Sequence, residues 1–115
     1  MADRIIHAEV VGKDSAKLQK FFSELFDWKL DTNNPGGYGM TAGSETGLVA
    51  GIGSTPDGSA GHVTFYVSVP DIDKALATAT KLGGRVVMPK MSPGGGATIA
   101  LVADPEGHVV GLSQA

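Results

Sequence analysis

The chain has no cysteine, so most of the chemistry open to it rests on three histidines. His7 stands two residues before Glu9 in the run IIHAEVV, and His62 stands two residues before Thr64 in HVTFYVSV. Residues two apart on a strand share a face, so each histidine has a polar neighbour beside it. An imidazole next to a carboxylate can move protons near neutral pH, which makes His7 and Glu9 the leading catalytic candidates. The competing reading of His7 is a half-buried histidine satisfied by backbone or by Glu9. His7, Glu9 and His62 together also have the two-His-one-carboxylate composition of a metal site, provided their strands are neighbours. Tyr66, on the His62 face, and Trp28 could stack on a planar ligand, with ordinary packing as the alternative for both. His108 follows Gly107 at a turn exit and reads as a surface residue. No G-x-S-x-G elbow or Ser-His-Asp ordering supports hydrolase chemistry. The run Gly94-Gly95-Gly96 lacks the lysine and Ser/Thr of a nucleotide loop and precedes a strand, so it reads as a mobile hairpin loop.

These side chains need elements to hold them, and composition limits what those can be. The chain has 115 residues, a single domain by size. Its 17 glycines are about twice the average usage of roughly 7%. There is no G-X-Y period, 42% of residues are hydrophobic and only 18% charged, which excludes collagen and argues against disorder. The glycines therefore belong to a compact, turn-rich fold. A net charge of −3 with scattered lysines offers no stripe for nucleic acid. No apolar run reaches the length of a membrane span or a secretion signal, so no membrane contact and a cytoplasmic location are expected.

Two amphipathic helices stand out. One follows Asp14 and places Leu18, Phe21, Phe22, Leu25 and Phe26 on one face; the other follows Asp71 with Ile72, Ala75, Leu76, Ala79 and Leu82, and stops at Gly83-Gly84. Each is preceded by a strand-like run and followed by short β-like pieces. The chain also repeats itself. Asp14 matches Asp71, Pro35-Gly36-Gly37 matches Pro93-Gly94-Gly95, and Val49-Ala50-Gly51-Ile52 matches Val109-Val110-Gly111-Leu112. Two βαβββ modules result, residues 1–56 and 57–115, each too short to bury a sheet face alone. The expected fold is α+β: a cupped, mostly antiparallel eight-stranded sheet with helices on its outer face. Strand parity turns Ile6, Ala8, Val10, Val63, Phe65, Val67 and Val69 toward the helices. His7, Glu9, His62, Thr64, Tyr66 and Ser68 then face a polar cup that could take a small molecule.

A doubled unit carrying LQKFFSELFDWKL, VPDIDKALATATKLGGRVV and GGGATIALVADPEGHVVGL resembles the vicinal oxygen chelate superfamily, which includes glyoxalase I, extradiol dioxygenases and bleomycin-resistance proteins. The likeness covers essentially the whole chain, and within the superfamily it is greatest to short glyoxalase-related proteins. Metal-dependent members place four ligands, two histidines and two glutamates in glyoxalase I, on the first and last strand of each module. Carried over by register, those positions fall on His7, Gly51, Thr64 and Gly111. Glycine offers no side chain and threonine is a poor ligand, so the resemblance implies the fold without an intact metal site. No cofactor is expected.

The leading functional expectation is a protein that binds a small molecule in a pocket lined by His7, Glu9, Gly51, His62, Thr64, Tyr66 and Gly111. Antibiotic sequestration of the bleomycin-resistance kind is one concrete version. The alternative is an enzyme, a lyase, isomerase or dioxygenase-like protein, using His7/Glu9 acid–base chemistry or a rebuilt His7/Glu9/His62 metal site. An RNA-binding sheet is set aside, since it needs exposed aromatics beside basic residues. The resemblance also implies a homodimer.

Overall fold

The structure, a computed structural model, describes residues 2–94 and 97–114. Contacts divide the chain into two compact units, His7–Val63 and Met1–Ile6 with Thr64–Ala115. The division thus falls at 63/64, a few residues beyond the 56/57 boundary expected from the repeat.

In the unit His7–Val63, β1 (Ile5–Gly12) leads into α1 (Ser15–Phe26), followed by β2 (Gly39–Met40), the short α2 (Gly43–Thr46) and β3 (Val49–Ser54). The strand order is β2-β3-β1. β1 and β3 run parallel in the register His7↔Val49 to Gly12↔Ser54, and β2 pairs antiparallel with β3. Helix α1 starts where the sequence says it should: the Asp14 side chain accepts from Lys17 N–H. It ends without glycine, because Asp27 itself adopts the left-handed conformation at φ 56°. α1 packs against β3, with Leu18 and Phe22 half-buried, while Phe21, Leu25 and Phe26 remain more than half exposed. Trp28 closes the helix end, its ring 5.1 Å from Phe26 and 6.2 Å from Phe22. Its role is packing.

In the other unit, β4 (His62–Ser68), α3 (Ile72–Lys81), β5 (Arg85–Gly94), β6 (Ala97–Ala103) and β7 (Val109–Gln114) give the βαβββ pattern. The order is β4-β7-β6-β5, with β4 and β7 parallel and the other two pairings antiparallel. Asp71 caps α3 as Asp14 caps α1. The core gathers Val69, Ile72, Ala100 and Leu112, with Val67, Ala75, Leu76 and Val102 against it. The Asp104 carboxylate accepts from Glu106 N–H and His108 N–H, and Gly107 takes φ 93°, so the D-P-E-G turn is held by its own first residue. His108 lies exposed at its exit, as its position after the turn implies.

The α+β class stands, and three finer expectations need correction. Seven strands are present among the described residues where the repeat led us to expect eight. The missing one belongs to the first module: Asp31 makes a single bridge to Met40, and residues 43–46 coil into α2. The hydroxyl pair Thr41–Thr46 (2.8 Å) and the bond from Ala50 N–H to Thr41 Oγ1 stabilise that turn against an extended strand. Along β4 and into Val69 just past its end, parity holds for Val67 and Val69 but cover does not reach the start of the strand, where Val63 is 78% and Phe65 41% exposed. The supposed open polar face of the same strand is instead closed at Thr64 and Tyr66, both buried. Within the run Gly94-Gly95-Gly96, Gly94 ends β5 and the other two lie outside the described residues.

Candidate functional site

The unit His7–Val63 brings four polar side chains together. His7 and Glu9 project from one face of β1, as their spacing requires. Tyr38 reaches them from the turn before β2. His7 Nε2 lies 2.9 Å from Tyr38 Oη, and Tyr38 Oη donates to Glu9 Oε1 at 3.0 Å. His62, at the start of β4 and within the same unit, places Nε2 3.1 Å from the other carboxylate oxygen, Glu9 Oε2. The result is a chain His7–Tyr38–Glu9–His62, with the Glu9 side chain only 11% exposed.

Tyr38 is the member that sequence reasoning missed, and its seat explains two glycines. A Cβ on Gly51 would coincide with the Tyr38 hydroxyl, and one on Gly53 would stand 2.6 Å from Tyr38 Cδ1. Gly51 and Gly53 share a face of β3, and together they make the flat bed on which the ring lies. The turn carrying Tyr38 is fixed from several sides. Asn34 Oδ1 accepts from Tyr38 N–H while Asn34 Nδ2 donates to Tyr38 O. From α1, Gln19 Nε2 donates to both Gly37 O (3.0 Å) and Ile52 O (2.9 Å), tying turn to strand. Gly37 supplies the positive φ of 67° the turn needs.

Burial pushes the His7 pKa down, since a charged imidazole loses solvation there; the negative charge of Glu9 opposes this without overcoming it. His7 is therefore a neutral imidazole at pH 7, with a carboxylate close enough to favour the cation if a proton arrives.

The other unit shows a parallel device. Gly111 faces Tyr66 across the β4/β7 pair, and a Cβ on Gly111 would run into the Tyr66 ring. Thr64, one turn of the pleat earlier, gives its hydroxyl to Val109 O. Both glycines that fall where metal-dependent relatives carry a carboxylate are thus covered by a tyrosine ring. Of the four positions, only His7 keeps a ligand side chain, so these residues do not fit a divalent ion. The rebuilt set His7, Glu9 and His62 does converge, but as a hydrogen-bonded chain with Tyr38 Oη between His7 and Glu9. Among the described residues no three His, Asp or Glu side chains are grouped to hold a metal.

The comparisons agree on the family. Residues 4–112 match the Glyoxalase/Bleomycin resistance protein/Dioxygenase superfamily. The protein called "Putative glyoxylase CFP32" in Mycobacterium bovis and Mycobacterium tuberculosis is 33% identical over 111 residues, 89% of this chain and 42% of that protein. The chain therefore spans about two fifths of the length of the curated relatives it matches. Among solved structures, a superfamily member from Vibrio splendidus 12B01 shares 17% identity at a TM-score of 0.66, covering 99% of this chain and 100% of that one. Methylmalonyl-CoA epimerase from Mycobacterium tuberculosis shares 13% at 0.64, covering 96% and 86%. A Streptomyces coelicolor methylmalonyl-CoA epimerase in complex with 2-nitronate-propionyl-CoA shares 16% at 0.60, covering 100% and 99%. At such identities the structural likeness concerns the fold. With a matching family pattern over nearly its whole length, the chain belongs to the glyoxalase/bleomycin resistance protein/dioxygenase superfamily.

Proposed function

We propose that the chain binds a small molecule at the His7–Tyr38–Glu9–His62 cluster and does so without a divalent ion. The observation that carries this reading is the Tyr38 hydroxyl bridging His7 and Glu9 in the space a side chain at position 51 would need. A cluster that alternates imidazole, phenol and carboxylate recognises polar, hydrogen-bonding groups and tolerates proton exchange. The proposal includes a homodimer, read by light scattering on the eluting protein, and a cytoplasmic location, read by fractionation.

The test is a thermal-shift screen with thiol conjugates, small antibiotics and divalent metals. A ligand at 100 times its dissociation constant stabilises by about 2.7 kcal/mol. The expected outcome is a shift with an organic ligand that is lost in His7→Ala, and a flat response to metals. A shift with metals alone overturns the reading.

One observation favours a second, enzymatic reading: His7 is held neutral by burial yet lies within the field of Glu9. Such an imidazole can accept a proton from a substrate C–H or O–H bond, the resulting imidazolium being stabilised by the carboxylate. The methylmalonyl-CoA epimerases share this fold, and an isomerase or lyase using His7 as base is the form this reading takes. A pH–rate profile unchanged in His7→Ala removes it.

A further inference from the structure

The structure assigns Tyr38 as a positioning residue that fixes the tautomer of His7, placing the hydrogen on Nε2 and the basic lone pair on Nδ1. This deepens the reading of the same cluster, and it is tested in ligand-free protein so that the two can fail separately.

Donor and acceptor counts fix the hydrogens of the cluster. A carboxylate only accepts. Tyr38 has one hydroxyl hydrogen, and the geometry directs it to Glu9 Oε1. What the phenol oxygen then offers to His7 Nε2, 2.9 Å away, is a lone pair, so Nε2 must carry the hydrogen of that bond. A neutral imidazole carries one N–H, which leaves Nδ1 as the base. His62 obeys the same count: its Nε2 faces Glu9 Oε2, an acceptor, and must be N–H. The two histidines are thus aligned donors at opposite ends of one carboxylate–phenol relay. The relay runs His7 Nε2–H to Tyr38 Oη, Tyr38 O–H to Glu9 Oε1, and His62 Nε2–H to Glu9 Oε2. Nothing in it is accidental to the sequence, because Gly51 and Gly53 leave the space and Asn34 and Gln19 hold the turn.

With its hydrogen on Nε2, a neutral His7 can take a further proton only at Nδ1. Tyr38 therefore sets which ring nitrogen is basic, while touching no reacting atom itself.

The experiment is nitrogen-15 and proton NMR of the imidazole rings in the ligand-free chain at a pH where His7 is neutral. The expected spectrum shows His7 as the Nε2–H tautomer, with that proton protected from solvent exchange and giving a nuclear Overhauser contact to the Tyr38 ring. Tyr38→Phe keeps the ring on its bed and removes the acceptor, so the protected signal should vanish while the backbone amide spectrum persists. Gly51→Ala should abolish the same signal with the phenol still present, because the new methyl takes the place of Oη and stands 2.6 Å from His7 Nε2. An Nδ1–H tautomer in the wild type overturns the assignment. So does an Nε2–H signal equally protected in wild type and Tyr38→Phe. Loss of the signal in Tyr38→Phe but not in Gly51→Ala would overturn the seating of the hydroxyl over position 51.

Discussion

Replacing Gly53 with alanine, alone and beside Tyr38→Ala, measures how firmly the phenol is seated. Gly53 is buried and its backbone lies outside the left-handed region, so alanine meets no conformational objection there. The obstacle is the ring. The new Cβ would stand 2.6 Å from Tyr38 Cδ1 and 3.1 Å from Cε1, and its three nearest neighbours all belong to Tyr38. Those are atoms near the base of the side chain, so the ring cannot bend aside at its tip and must leave its bed. Leaving it breaks the bonds of Oη to His7 and Glu9. A neutral hydrogen bond contributes about 1 kcal/mol net and one to a carboxylate up to about twice that, so Gly53→Ala should cost roughly 2–3 kcal/mol. In the Tyr38→Ala background the clash is gone, and alanine in a strand is favoured over glycine by about 0.5–1 kcal/mol. The sign should therefore reverse, with a coupling near 3 kcal/mol, at the upper end for residues in contact. Urea denaturation of the four proteins gives the cycle, provided the m-value stays constant. Equal destabilisation in both backgrounds would refute the seating of Tyr38 on β3.

Three further outcomes follow from the same contacts. Because burial lowers the His7 pKa below its ordinary 6.5, the unfolded chain binds the proton first as pH falls. Wild-type stability should then decline as pH drops through about 6.5 toward the lower folded value, more steeply than in His7→Gln; parallel curves in urea titrations from pH 8 to 5 would contradict this. Gln19→Ala removes both bonds that tie the Tyr38 turn to β3, so it should cost about 1–2 kcal/mol and speed amide exchange at Gly37 and Tyr38. Asp14→Ala and Asp71→Ala each remove a helix cap worth about 1 kcal/mol, so each single variant should melt a few degrees below wild type.

What the sequence made legible was periodic. Alternation put His7 and Glu9 on one face, and the apolar spacing after Asp14 and Asp71 located both long helices and their caps. The parts that escaped lack a period. Tyr38 sits in the turn NNPGGYG, where no pattern says which way a side chain reaches, and its role depends on partners about thirty residues away. One signal was nonetheless available. Gly51 and Gly53 alternate along a single strand face, and two missing side chains in a row on one face imply that something else fills the room. The resemblance to metal-dependent proteins leads one to expect carboxylates at Gly51 and Gly111; in the structure each glycine is the seat of a tyrosine. The missing strand of the first module escaped for a local reason, since the Thr41 and Thr46 hydroxyls stabilise a short helical turn that hydropathy does not reveal. On β4, Val63 and Phe65 follow the expected parity but lie beyond the core around Ile72, a matter of helix placement rather than of pattern.

The proposal that the His7–Tyr38–Glu9–His62 cluster works without a divalent ion meets its most direct test in elemental analysis of the purified protein, paired with melting in the presence and absence of a chelator. The account predicts divalent metal well below one equivalent per chain and a melting temperature that the chelator leaves unchanged. One equivalent of bound divalent metal, with a fall in melting temperature when it is stripped, would contradict it.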